Sequence, residues 1–237
     1  MRKLAVIAVV VSGFIVPAVA QTPDQDLRSC DGGNQPREDR IAACTRLIDA
    51  GDRAATELTW IHDRRGDLLY GEEDYEAALA DYAVVAELDP SNWEPHAARG
   101  LALLQLERDE EAVAAYDRAI ELNPRVASSF YRRGLAYRFL DKPDLALRDY
   151  DQAIALDPNF PAVLLGRGSL HLSQDRFAEA LADFSVALEL APYDARTYAG
   201  RGQTSTARAI RPARSATTVS PNCSIRICAF RTKGCRC

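Results

Sequence analysis

The chain has 237 residues, 47% of them hydrophobic, which is enough for a sizeable core. Its formal charge of −5 is unevenly spread: residues 203–237 hold seven basic and no acidic side chains, so residues 1–202 carry 22 basic against 34 acidic, a balance of −12. An acidic body repels phosphates, which excludes nucleic acid as the expected partner.

The N-terminus opens with Met1-Arg2-Lys3, continues with an almost wholly apolar run from Leu4 to Val16, and ends on Pro17-Ala18-Val19-Ala20-Gln21. A charged start, a short apolar run and a small-x-small ending predict a secretory signal peptide over residues 1–20, cleaved after Ala20. The alternative, a retained anchor, needs ~20 apolar residues, and this run is slightly short and interrupted by proline. No second apolar run could span a bilayer, so the expected mature chain is exported, periplasmic or secreted, with no membrane span. Export makes Cys30 and Cys44 candidates for a disulfide, whose loop of about 15 residues would contribute roughly 3 kcal/mol. The alternative is two buried thiols.

Residues 21–58 form a lead-in. Residues 21–36 are polar, with Pro23, Gly32, Gly33 and Pro36, and are expected to be extended. From Arg37 to Ala50, Ile41, Cys44, Leu47 and Ile48 make one apolar helical face, ended by Gly51.

Residues 59–202 then repeat with a period of 34 residues. Proline recurs at 90, 124, 158 and 192; Arg-Gly pairs at 65, 99, 133, 167 and 201; alanine at 78, 112, 146 and 180; an aromatic at Tyr82, Tyr116, Tyr150 and Phe184. Four landmarks in phase predict an array of helix pairs, in which function lies in the surface made by the stack. The full units run 59–92, 93–126, 127–160 and 161–194. In the third, Ala127 to Leu140 is the first helix, and Asp141-Lys142-Pro143 is the turn, with Asp141 as cap and Pro143 in the first turn of the next helix. Leu145, Leu147, Tyr150, Ile154 and Leu156 are its expected apolar side, and Asp157-Pro158 ends it.

These units resemble the tetratricopeptide repeat (TPR): a small residue at position 8, alanine at 20, an aromatic at 24, a small or branched residue at 27 and proline at 32. The resemblance implies an all-α superhelical solenoid of antiparallel helix pairs, four full repeats plus a partial fifth. Gly at 8 and Ala at 20 should let paired helices approach closely, and the aromatic should fill the gap toward the next repeat. The sequence departs at position 7, which is Arg in every copy. That Arg could pair with Asp81, Asp149 or Asp183, worth little if exposed; Ala115 breaks the pattern in the second repeat.

Motifs for chemistry are sparse. His62 and His96 share position 4, where Phe130, Leu164 and Tyr198 stand elsewhere, and His171 matches Leu69, Leu103 and Tyr137, so all three read as packing residues. There is no HExxH, GxSxG, Walker-type loop or GxGxxG. No catalytic residue, cofactor or metal is expected.

The resemblance also implies that the first helix of each repeat lines a concave groove. The candidate partner-binding residues are Trp60, Asp63, Asp67, Tyr70, Leu101, Leu104, Tyr131, Leu135, Arg138 and Leu165. Their order is acidic and aromatic, then apolar, then basic at Arg138, which suits a peptide with a basic end and a few apolar anchors. Trp60 and Tyr131 are the expected hot spots. For Leu101, Leu135 and Leu165, packing between repeats is the equal alternative. The family's carboxylate clamp is not expected: its positions carry Asp63, Asp67, Ala98, Ser128 and Arg132, and only Arg132 fits.

Beyond 202 the repeat pattern fails. Arg214, Thr218, Pro221 and Arg226 stand where alanine, an aromatic, a small residue and proline are due, and Cys223, Cys228, Cys235 and Cys237 crowd the end. Residues 203–237 are read as a basic tail, disordered or out of frame; a metal or disulfide knot matches no zinc spacing. The fourth repeat is therefore expected to lack a polar cap and to fray or self-associate. The expected function is a scaffold or adaptor for a protein or peptide in the cell envelope. The alternatives are a regulatory subunit or enzyme with a site assembled across repeats, and a self-assembling array.

Overall fold

A computed structural model describes residues 8–11, 14–17, 22–32 and 34–217. The expected cleavage point and the four tail cysteines lie outside the described residues. Within the first apolar run, Ala8–Val11 (β1) and Phe14–Pro17 (β2) pair antiparallel, Ala8 opposite Pro17.

The lead-in is more ordered than expected. Pro23–Asp31 forms helix α1, not an extended segment. The Thr22 hydroxyl accepts a hydrogen bond from the Gln25 backbone N–H, and the Thr22 N–H donates to Gln25 Oε1, with Pro23 in the first turn. That reciprocal cap offsets the cost of nucleating a short helix. Arg37–Asp49 forms α2, and Gly51 follows at φ 67°, in the left-handed region that favours glycine. Cys30 and Cys44 are bonded, with Cα atoms 5.0 Å apart, and pin α1 to α2. The same cysteines join Ala43, Leu47, Ile61 and Leu68 in one core, so this hairpin caps the first repeat.

Four helix pairs follow: α3 (Ala55–Gly71) with α4 (Tyr75–Leu88), α5 (Glu94–Gln105) with α6 (Asp109–Leu122), α7 (Ala127–Phe139) with α8 (Pro143–Leu156), and α9 (Pro161–Ser173) with α10 (Phe177–Leu190). From Pro23 onward the described residues form an all-α TPR-type solenoid. Glycine at position 8 admits the aromatic of its own pair: a Cβ on Gly66, Gly100 or Gly134 would lie 2.7 Å from a ring atom of Tyr82, Tyr116 or Tyr150. The ring also reaches forward, since a Cβ on Gly200 would lie 2.8 Å from Phe184. One aromatic thus stitches both the pair and the stack.

The turns inside the pairs share one device. Glu73, Glu107, Asp141 and Asp175 all have positive φ, between 54° and 65°. In the first, Glu73 N–H donates to the Tyr70 carbonyl and Asp74 N–H to the Leu69 carbonyl, closing a Schellman motif without glycine. Asp141 therefore ends α7 and does not cap α8, whose N-cap is Lys142 with no side-chain bond. Leu145, expected on the apolar side of α8, is exposed, whereas Tyr150 is fully buried. After α4, α6 and α8, the side chains of Asp89, Asn123 and Asp157 each accept a hydrogen bond from the backbone N–H two residues on, at 3.3, 3.2 and 3.0 Å. Asx turns of this kind compete with the helix and stop it.

Position-7 arginines knit the repeats together. Arg65, Arg133 and Arg167 each hold both oxygens of a buried carboxylate, Asp81, Asp149 and Asp183, at 2.7–3.0 Å. Arg133 and Arg167 also reach back to Asp117 and Asp151 of the preceding pair, both at 2.6 Å. The Asp81, Asp149 and Asp183 carboxylates are buried, so those pairs differ in kind from surface ion pairs, whereas Asp117 and Asp151 stand partly in solvent.

The final helix, α11 (Ala195–Thr217), runs through the point where the repeat pattern stops. From Gln203 to Ile210 there is no glycine or proline, so loss of the landmarks does not end the helix. Thr197 and Thr204 are buried, while Tyr198 and Ile210 of the same helix are exposed. Helix α11 packs on α9 and α10. The end of the fourth pair, expected to be uncapped, is covered by this helix.

Candidate binding surfaces

The candidate groove residues come from the first helices of the four pairs: Trp60, Asp63, Asp67 and Tyr70 from α3, Leu101 and Leu104 from α5, Tyr131, Leu135 and Arg138 from α7, and Leu165 from α9. None is fully buried, and Trp60 and Asp67 are exposed. The leucines are half-buried, so they both pack and present surface. Leu104 rests on the core around Leu103 and Tyr116, and Leu135 on that around Phe130 and Tyr150.

The N-terminal end is a cluster of carboxylates. Burial, then the neighbouring Asp67 and Glu94, push the Asp63 carboxyl above its usual range, with Arg64 opposing. The Tyr82 hydroxyl donates to Asp67 Oδ1 at 3.0 Å. Burial first, and the Asp67 carboxylate next, push that hydroxyl up. Tyr70 stacks edge-on against Tyr75 with ring centroids 5.2 Å apart. The result is a negative, aromatic patch whose charges are incompletely neutralised.

The two expected hot spots differ. Trp60, 36% exposed, lines a cavity of about 410 Å³ with Leu27, Arg28 and Asp31 of α1. Residues 21–36, expected to be extended, instead bring α1 to Trp60. The Thr22-to-Gln25 capping box was the sequence signal for that helix. Tyr131 sits between Phe160 and Tyr150, at 5.2 and 6.0 Å between centroids, and is half-buried in that aromatic cluster. Arg138 lines a cavity of about 560 Å³ with Ser169, Ser173 and Gln174 of the next pair, and its guanidinium lies over Phe139 at 5.4 Å.

The histidines do not converge. His62 Nδ1 lies 2.7 Å from Asp81 Oδ1. His171 Nε2 is 3.9 Å from Asp183 Oδ2, and its ring is pushed toward the neutral form by burial first and by Arg176 next. Both carboxylates already serve arginines. Among the described residues no group of three or more His, Cys, Asp or Glu side chains could hold a metal ion, and no helix is long and apolar enough to cross a membrane. What the surface offers is recognition: charge of one sign at one end, aromatic and apolar patches, and a cation further along.

Two family profiles match the chain, one described as "Tetratricopeptide repeat" over residues 131–195 and one as "TPR repeat" over 102–138. No curated protein matches it. Among solved structures it is similar to a tetratricopeptide repeat protein from Parabacteroides merdae, at TM-score 0.67 and 18% identity over 81% of this chain and 74% of that one. It is also similar to MamA, at TM-score 0.62 and 21% identity over 75% and 99%. A third is YrrB, described as a TPR protein with an unusual peptide-binding site, at TM-score 0.57 and 24% identity over 72% and 86%.

Proposed function

We propose that this tetratricopeptide-repeat chain has an interaction role, as an exported adaptor whose concave groove binds a peptide segment of a partner. The observation that carries this reading is the graded surface: the Asp63, Asp67 and Glu94 carboxylates at one end, half-exposed leucines in the middle, and Arg138 over a cavity further along. A segment with a basic end followed by apolar anchors complements it in charge and in shape. The raised Asp63 carboxyl marks a place where charge is held against its own preference, as binding sites often do. Export rests on the charged, apolar and small-x-small start of the sequence.

The test is a panel of labelled peptides carrying Lys-Arg ends and spaced leucines, with charge-reversed controls. Basic-ended peptides should bind and weaken with salt, and Asp63→Asn with Asp67→Asn should weaken them roughly tenfold. Equal binding of the charge-reversed set would contradict the proposal.

A further inference from the structure

Asp81 is a template for a site that the next repeat leaves unfilled. It is 2% exposed and takes three short contacts: Arg65 Nε and a terminal nitrogen at 2.8 and 2.7 Å, and His62 Nδ1 at 2.7 Å. One period on, the two basic partners recur as His96 and Arg99, but Asp81 is replaced by Ala115. The back-reaching rung is gone as well, because Ala83 stands where Asp117 and Asp151 serve Arg133 and Arg167.

Arg99 consequently lacks a bonded carboxylate, although its charge also acts on Glu111. Its Nε is buried without a hydrogen-bond partner, and among the described residues neither its side chain nor that of His96 makes a hydrogen bond or ion pair. Other arginines with a buried, unpartnered Nε bond through their remaining nitrogens: Arg40 to the Cys30 carbonyl, Arg64 to that of Asp31, and Arg53 to Glu57. Arg201, which also has no carboxylate at either spacing, lies over the Tyr198 ring.

The missing carboxylate leaves room. A cavity of about 530 Å³ opens between α4, α5 and α6, with His96, Arg99 and Arg118 on its wall and Leu79, Leu103 and Ala115 as apolar lining. Burial first, then Arg99 and Arg118, push the His96 ring toward the neutral form. The acids nearby are committed. Glu111 is held by Arg108 through two 2.6 Å contacts, and Glu76 by the same guanidinium at 3.3 Å. Among the described residues Arg118 pairs only with Glu121, one helical turn away, at 3.0 Å.

We propose that this cavity is a second binding site, distinct from the concave groove, that takes an aspartate or glutamate side chain of an acidic peptide segment in the place of the missing carboxylate. The fork of Arg99 would hold both carboxylate oxygens, as Arg65 holds Asp81, with His96 as a further donor and Arg118 at the wall. A carboxylate suits the site better than a phosphate, because Glu76 and Glu111 on the same cavity would repel a dianion more strongly. The volume exceeds one carboxylate, and the apolar lining can cover a flanking apolar side chain, which points to a peptide and not a free small acid.

The test uses the full chain and an acetylated, amidated pentapeptide, Ala-Leu-Glu-Leu-Ala, with its Gln counterpart, acetate and inorganic phosphate as parallel arms. Binding is read from NMR signals of the His96 ring and the Arg99 side chain. The Glu peptide should shift them saturably, and the Gln peptide should bind at least tenfold more weakly. Ala115→Asp, which supplies the carboxylate internally, should lower Glu-peptide affinity at least tenfold while raising the thermal midpoint. Arg99→Gln should lower it similarly at unchanged helicity, which keeps the test decisive if Ala115→Asp does not fold. Unchanged Glu-peptide affinity in a folded variant, or no shift by that peptide, would overturn the site. Acetate or phosphate matching the peptide would overturn the choice of ligand.

Discussion

A buried aspartate facing an arginine makes an asymmetric pair, and Asp149 with Arg133 illustrates why. Asp149 is 6% exposed, whereas Arg133 is also tied to Asp117. Removing the arginine strands a buried carboxylate; removing the aspartate leaves the arginine its second acid and a route to water. Arg133→Ala should therefore cost about 3 kcal/mol and Asp149→Ala clearly less, measured by urea denaturation. Equal costs would mean the second rung is irrelevant. His171 gives a pH signature. Burial and Arg176 lower its folded pKa below the ordinary 6.5. The unfolded chain then binds the proton first as acid is added, so this contribution to stability is present above about pH 6.5 and is lost as pH falls toward the folded value. His171→Leu, matching Leu69 and Leu103, should flatten the loss of stability between about pH 7 and pH 5 relative to the parent. An unchanged slope would show that His171 does not titrate with folding. The position-7 pairing with Asp81, Asp149 and Asp183 was legible in the sequence because the spacing is constant. The backward rungs were not, because Asp117 and Asp151 announce themselves only once adjacent pairs are stacked.

At the scale of the helix, the turns carry the unexpected feature. A non-glycine residue in the left-handed region costs roughly 1 kcal/mol, and the array carries it four times, at Glu73, Glu107, Asp141 and Asp175. Glu107→Gly should thus stabilise the second repeat by about 0.5–1 kcal/mol, seen as a higher urea midpoint with unchanged slope. A loss would mean that the side chain contributes more than the backbone strain it brings. Helix boundaries in the repeats follow from local chemistry: Asp-Pro and Asn-Pro stop the second helices, and proline opens α8 and α9. The reading of Asp141 as an N-cap failed because acidic residues suit both a helix start and a left-handed helix end. Helix α1 was hidden by proline and two glycines, although proline suits a first helical turn and the glycines lie beyond its end. Helix α11 shows the converse, a helix that persists after its repeat landmarks are gone.

Across the whole molecule, each pair touches little beyond its neighbours, so the architecture is close to one-dimensional and its period can be read directly from sequence. The groove is only partly legible in the same way. The repeat frame identifies which first-helix residues are due to line the groove, but not that Trp60 meets α1 or that Tyr131 is wedged between Tyr150 and Phe160. Those contacts depend on elements outside the repeating unit or on the register between units. The central claim is that the concave face recognises a partner. The most direct measurement is crosslinking capture from the native source with the full chain, alongside a Trp60→Ala, Tyr131→Ala, Arg138→Ala variant of equal helicity, with crosslinked residues mapped by mass spectrometry. A partner crosslinked along α3, α5 and α7 and lost with the variant is the predicted result. A partner retained equally by both proteins, or crosslinked only through the second helices, would contradict the account.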